Sequence, residues 1–135
     1  MLIRNARTSD IPAIRKLAVS LGLDYPGMEE DRIWVAEGSG RLWGMVALLV
    51  HPDCLELVAL GVDPGARSAG LGGRLIETLM AAAAGDVYLA TVIPDYFERH
   101  GFALTVRAPN GMAKDPTWCE GCSKESCTVM VRTKK

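Results

Sequence analysis

The chain lacks an excess of charge of either sign: fifteen lysines and arginines stand against sixteen aspartates and glutamates, a formal net charge of -1 over 135 residues. So balanced a chain carries no basic footprint for nucleic acid. With 49% hydrophobic and 23% charged residues, it does not have the composition of a disordered segment either. Long apolar runs are missing too. The longest, "MVALLV" and "LMAAAA", fall well short of the ~20 residues a bilayer span requires, so no membrane partner is expected. The first residues show no charged head followed by an apolar signal core, which makes a cytoplasmic protein the expectation. Cysteine is scarce, with one at 54 and three at 119, 122 and 127. That is below the density of a disulfide-stapled secreted scaffold and favours reduced thiols or a metal over bridges. The length suits one domain over 1–135 that buries its own core, ending in a cysteine-containing tail from about 108.

What is present reads as alternating elements. "LIRNA" is a short strand. "TSD" offers capping groups before the amphipathic helix "IPAIRKLAVSLG", in which Ile11, Ile14, Leu17, Ala18 and Leu21 share a face and Gly22 ends the run. "LDYPGMEED" is a loop with four carboxylates, and "RIWVAE" and "RLWGMVALLV" flank the turn "GSG" as a hairpin. The apolar strand "CLELVALGV" leads into the glycine-rich loop "DPGARSAGLGG" and a helix from about 71 to 84, with Leu71, Leu75, Leu79 and Ala83 at spacing four. "DVYLATV" is a strand, "PDYFERHG" a short helix and "FALTV" a strand; the remainder is irregular until "CTVMVRT". A hairpin followed by strand, helix, strand, helix and strand predicts the α+β class, in its α/β three-layer form: a mixed central sheet flanked by helices.

The glycines at 70, 72 and 73 stand just ahead of a helix, where backbone N–H groups and the positive helix end suit a phosphate or pyrophosphate. A dinucleotide fingerprint would need glycine at 75, where Leu75 stands, and a phosphate-binding Walker loop would need lysine where Leu71 stands. What remains is Arg67, Gly70 and Gly72 in the pattern Arg-x-x-Gly-x-Gly, after a strand ending "GVDP". The competing reading is a glycine-capped loop without ligand.

The segment "LELVALGVDPGARSAGLGGRLIETLM" resembles the acyl-CoA-binding segment of the GNAT superfamily of N-acyltransferases, and "ATVIPDYFERHGF" resembles the segment that follows it there. The resemblance covers most of the chain and implies a GNAT-like sheet with acetyl-CoA as cosubstrate. It implies that the backbone around Arg67, Ser68, Ala69, Gly70, Leu71, Gly72 and Gly73 holds the coenzyme A pyrophosphate. By the same likeness Val58 to Val62, including Leu60 and Gly61, pairs with the pantetheine arm. Acyl transfer to an amine needs a base, a stabilised oxyanion and a proton for the departing thiolate. Glu56 lies in an otherwise apolar strand, where many GNAT members carry a catalytic glutamate; against this stands a carboxylate merely facing solvent on an alternating strand. A backbone N–H between Leu57 and Leu60 would meet the oxyanion. The general-acid tyrosine of many members falls on Phe97, and Tyr96 next to it is turned about 100° around a helix, so Tyr96 as acid competes with a packing role. His100 reads as a cation at a helix end and His51, beside Pro52, as a loop residue.

"WCEGCSKESC" has one zinc-knuckle pair, Cys119 and Cys122, with Cys127 beyond. Cys54, His51 or His100 would have to complete a site, so free thiols are preferred to zinc. Lys114, Trp118 and the two close cysteines are similar to the tails of short stand-alone N-acetylglutamate-synthase-like members. The expectation is an acetyl-CoA-dependent N-acetyltransferase acting on a small-molecule amine by direct attack in a ternary complex, with an amino acid ahead of a polyamine and a protein amino group third. A homodimer is left open. Two alternatives stay in view: a ping-pong acyl carrier on Cys54 or Cys119, and a non-catalytic acyl-CoA-binding or metal-tailed interaction module.

Overall fold

The computed structural model describes residues 1–106, 109 and 128–134, with 68 and 69 described by their backbone alone. In chain order the elements are β1 (Leu2–Asn5), α1 (Ile11–Leu21), β2 (Arg32–Gly38), β3 (Arg41–Val50), β4 (Leu55–Val62), α2 (Leu71–Ala82), β5 (Val87–Thr91), α3 (Pro94–Glu98), β6 (Ala103–Leu104) and β7 (Thr128–Arg132). Hydrogen bonding orders the strands β1-β2-β3-β4-β5-β7-β6. The sheet is mixed: β4 and β5 run parallel, whereas β1/β2, β2/β3, β5/β7 and β6/β7 are antiparallel. This is the mixed, helix-flanked sheet that the alternation of elements predicts. No helix among the described residues is long and apolar enough to cross a membrane.

Two compact units divide the chain, Met1–Leu49 with Leu57–Ala82 and Val50–Glu56 with Ala83–Lys135. In the first, Ile14, Leu17 and Ala18 of α1 form one buried cluster with Ile33 and Val35 of β2 and Met45 and Ala47 of β3. Ala36 of β2 instead joins Leu71 of α2 and Ala66. Adjacent strand residues point to opposite faces, so the unbroken buried run Ile33 to Ala36 shows β2 covered on both sides. Gly22 ends α1 at φ 69, its N–H bonding back into the last turn, and the β2/β3 turn carries both Ser39 and Gly40 at positive φ. That backbone matches the right-handed twist of a hairpin. Beneath α1, Arg4 clamps Asp10 with two bonds, Nη1 to Oδ2 at 2.7 Å and Nη2 to Oδ1 at 3.1 Å, and reaches Glu37 Oε1 at 3.1 Å.

In the second unit the parallel ladder takes in Leu55 with Val87 and Glu56 with Tyr88, and β5 continues against β7 from Val87–Arg132 to Thr91–Thr128. β6 is shorter than the "FALTV" pattern predicts, because beyond Leu104 the exchange with β7 reduces to the Thr105 N–H donating to the Val129 carbonyl. Phe97, Phe102, Leu89 and Met130 are buried. Arg107, Lys114, Trp118 and the three clustered cysteines lie outside the described residues, and with them the tail's metal question.

Candidate active site

The turn between β3 and β4 is closed by the His51 N–H donating to the Cys54 carbonyl at 2.9 Å. That closure swings the His51 ring over the start of β4, where its Nε2 lies 2.8 Å from Glu56 Oε1. The side chain of Glu56 is 1% exposed and that of His51 19%. A buried carboxylate without a partner would be costly; this one is held by an imidazole that itself reaches solvent. Of the two readings of Glu56, the carboxylate facing solvent does not hold; His51 lies in a loop as expected, with its ring turned onto that carboxylate. Its pairing with Glu56 also gives it a role other than completing a zinc site.

Further along β4, Ala59 adopts φ 54, a backbone that L-residues rarely take outside strained or functional positions. It falls within the Leu57–Leu60 stretch expected to supply an oxyanion donor. A Cβ on Gly61 would overlap Leu23 Cδ1 and come within 3.0 Å of Leu21 Cδ1, so the segment after α1 lies directly on β4 there.

The glycine-rich segment is more ordered than a loop. Pro64–Ala69 is a 3-10 turn in which Asp63 accepts the Gly65 N–H at 2.9 Å, and Gly70 closes it at φ 69. Asp-Pro explains this locally, since the aspartate caps and the proline fixes φ at the first turn position. Helix α2 then starts at Leu71, which places Gly72 and Gly73 inside its first turn rather than before it. The Arg74 N–H bonds the Gly70 carbonyl, while the first-turn N–H groups of Leu71, Gly72 and Gly73 are those for which a helix offers no acceptor of its own. Arg67 is turned back: its Nε donates to the Val62 carbonyl at 3.1 Å. Its side chain thus fastens the turn to the end of β4. Asp63, which also accepts from Arg41 Nη2 at 2.8 Å, is a support the sequence did not single out.

On α3, Phe97 is 7% exposed and meets Phe102 edge-on at 5.8 Å. The position that carries a tyrosine in many GNAT members is therefore a core position here. Tyr96 is half-buried, with the His100 ring at 4.8 Å and the Arg99 guanidinium 5.9 Å from its own ring. Burial raises the phenol pKa above its ordinary value, and the nearby Arg99 charge opposes this. Tyr96 thus holds its proton through neutral pH, as a proton donor must. Among the described residues no group of three or more His, Cys, Asp and Glu could hold a metal ion; Cys119, Cys122 and Cys127 lie outside them.

A strand with a buried carboxylate and a local backbone kink, running into a capped turn and a glycine-entered helix on a mixed sheet, defines an acyltransferase of the GNAT kind. The acetyltransferase (GNAT) domain family model matches residues 29–104, more than half of the chain. An amino-acid acetyltransferase of Mycobacterium tuberculosis is 31% identical over 119 residues, covering 75% of this chain and 67% of that protein. The chain belongs to the GNAT acetyltransferase family, and the protein is an acetyl-CoA-dependent N-acetyltransferase. Among solved structures, Rv2747 of Mycobacterium tuberculosis in complex with CoA and NLQ superposes with a TM-score of 0.77 at 25% identity, covering 98% of this chain and 99% of that one. N-acetylglutamate synthase of Neisseria gonorrhoeae, complexed with coenzyme A and N-acetyl-glutamate, shares the fold, with a TM-score of 0.76 at 20% identity. There this whole chain matches 36% of the partner's length. The chain likewise spans 27% of an amino-acid acetyltransferase of Neisseria meningitidis that it matches at 29% identity.

Proposed function

We propose that this enzyme acetylates the amine of a free amino acid by direct attack on acetyl-CoA in a ternary complex, with Glu56 as base and Tyr96 as acid. The observation that carries the reading is Glu56: a carboxylate 1% exposed in its side chain on the strand that leads straight into the capped turn and α2. A merely structural strand would place a hydrophobic residue at so buried a position.

The chain fits coenzyme A on its own chemistry. Gly70 at φ 69 has no atom within 4 Å of where a Cβ would stand, and the N–H groups of Leu71, Gly72 and Gly73 open the positive end of a twelve-residue helix. Together they make a cradle for a pyrophosphate, with Leu60, Gly61 and Val62 offering strand backbone to the pantetheine arm. Acetyl-CoA, when bound, supplies the thioester. Glu56 takes the amine proton, directly or through one water, and a backbone N–H in the Leu57–Leu60 stretch, re-aimed by Ala59, donates to the developing oxyanion. Tyr96 O–H returns a proton to the departing thiolate.

The choice of acceptor rests on charge. Four carboxylates after α1 would favour a polyamine if they were free, but Glu29 pairs with Arg15 at 2.9 Å and Asp31 accepts from Tyr25 O–H at 2.8 Å. One of the four charges is therefore paired with a cation and a second is held by a neutral hydrogen bond, which weakens the pull on a polycation. The relatives named amino-acid acetyltransferase agree with an amino acid. Glu56→Gln is expected to lower kcat by about 10²- to 10⁴-fold while coenzyme affinity stays. Comparing kcat/KM for glutamate and spermidine tests the acceptor: a preference for spermidine that falls when Glu29 and Glu30 are neutralised would refute the amino-acid reading.

A further inference from the structure

Resting on the placement of the coenzyme pyrophosphate at the start of α2, we infer that Arg41 of β3 is a positioning residue for the coenzyme. Acting through Asp63, it holds the 3-10 turn so that the N–H groups of Leu71, Gly72 and Gly73 stay aimed at one point. The path is short. Arg41 Nη2 donates to Asp63 Oδ2 at 2.8 Å, and Asp63 Oδ1 accepts the Gly65 N–H at 2.9 Å. One carboxylate oxygen is thus held from β3 and the other caps the turn. The Asp63 backbone is anchored to the same strand, its N–H donating to the Trp43 carbonyl at 2.7 Å, while its carbonyl accepts the Ala66 N–H at 2.9 Å. The support beneath is itself braced. The Arg41 guanidinium lies 4.0 Å over the Trp43 ring, and Trp43 Nε1 donates to the Gly38 carbonyl at 2.9 Å. A Cβ on Gly65 would stand 3.2 Å from Asp63 Oδ1 and 3.3 Å from Trp43 Cζ3, so the turn rests directly against both. Trp43 also packs on the cluster of Ala36, Ala66 and Leu71, which links the same support to the first residue of α2.

Geometry and charge act in the same direction. With Oδ2 held by the guanidinium, Oδ1 is kept in the orientation that caps the Gly65 N–H, and the turn begins at one place. A ligand that needs the turn in that arrangement binds more weakly in proportion to the time the turn spends in any other. Asp63 is also the only carboxylate between Leu57 and Gly73. A pyrophosphate arriving at α2 brings further negative charge toward it, and the Arg41 cation offsets that repulsion. The side chains are 55% exposed on the arginine and 21% on the aspartate. The leverage is therefore that of an ion pair near water, small for the stability of the fold and readable in an affinity.

The test measures the Kd of coenzyme A by calorimetry on the full chain, beside KM and kcat from thiol release with acetyl-CoA. Kd is read on folded protein, so a loss of stability alone does not move it. Arg41→Met keeps an aliphatic stem over Trp43 and removes the charge; it is expected to raise Kd and the KM for acetyl-CoA about 2- to 5-fold, with kcat and the KM for the amine unchanged. Arg41→Lys returns a cation within reach of Asp63 and is expected to recover most of that loss. Asp63→Asn keeps an oxygen for the Gly65 N–H without a charge to neutralise, and should cost less than Arg41→Met. In the Asp63→Asn background Arg41→Met should cost nothing further, because the partner through which it acts is gone. An equal loss of affinity in both backgrounds would mean that Arg41 acts on the coenzyme without Asp63 and would overturn the inference. A wild-type Kd in Arg41→Met, or a fall in kcat at unchanged Kd, would overturn it as well. A wild-type Kd in Gly70→Val would instead remove the underlying placement of the pyrophosphate. If Arg41→Met does not fold, Arg41→Thr, which suits a strand, takes its place with the same expectations.

Discussion

Replacing Gly70 by valine separates the backbone's need for glycine from the ligand's. Gly70 sits at φ 69 with no atom within 4 Å of an added Cβ, so valine meets no protein wall and the variant should fold. The cost is conformational: an L-residue in the left-handed region loses about 1–2 kcal/mol, somewhat more for a β-branched side chain. At about 3–5 °C per kcal/mol for a chain of this length, the ligand-free Tm should fall by roughly 3–10 °C. A ligand at 100 times its Kd adds about 2.7 kcal/mol to the native state, so saturating acetyl-CoA should raise the wild-type Tm by about 8–13 °C. In Gly70→Val the side chain stands where phosphate oxygens would approach the amides of Leu71 to Gly73, and that rise should vanish. The assay is a pair of melts for each variant, with and without acetyl-CoA, so that the conformational penalty cancels. A wild-type rise in a destabilised Gly70→Val would refute the placement of the pyrophosphate on this turn.

Three further outcomes follow from the structure. Asp10 is held at about 2, below the ordinary 3.8, first by the Arg4 side chain and then by the Arg7 N–H; a depressed carboxylate stabilises the fold above its unfolded pKa and loses that contribution as pH falls from about 4 through about 2. Asp10→Asn should therefore be less stable by about 1–2 kcal/mol at neutral pH, and denaturant melts showing the same deficit at pH 2 would contradict this. Gly61→Ala should cost about 1–3 kcal/mol through overlap with Leu23 Cδ1, and Leu23→Ala should relieve it; a destabilisation that persists in the double variant would mean the strand backbone, not the leucine, rejects the methyl. Ultraviolet titration of Tyr96 should show its phenol ionising later than free tyrosine, because burial raises its pKa, and Tyr96→Phe should lower turnover less than Glu56→Gln; ionisation at or below the free value, or a larger loss in Tyr96→Phe, would remove it as the acid.

Much of the frame was legible because it depends on local pattern. The apolar spacing of Ile14, Leu17 and Ala18, and of Leu71, Leu75 and Leu79, is a property of neighbours along a helix, and all six are buried. The turns at Gly22, Gly40 and Gly70 follow from residues that tolerate positive φ. The Arg-x-x-Gly-x-Gly spacing marked the turn before α2 for the same reason, although Asp63 and Pro64 tighten it into a 3-10 turn that composition alone did not show. Glu56 could be singled out as a lone carboxylate in an apolar strand, but not its depth.

What only the tertiary structure decided are relations between residues that no period connects. Nothing in "VHPDCLE" shows that the His51 ring folds back onto Glu56; that depends on how the turn closes between two strands held in register by the rest of the sheet. The clamp of Arg4 on Asp10 and Glu37 likewise joins the first strand to a helix start and to a distant strand. Phe97 and Tyr96 differ by one position in sequence, yet one is core and the other half-buried, because α3 has a single face to pack against Phe102. Local sequence sets which conformations a segment can adopt at low cost, whereas burial, pairing and the microenvironment of a carboxylate are sums over segments brought together from far apart in the chain.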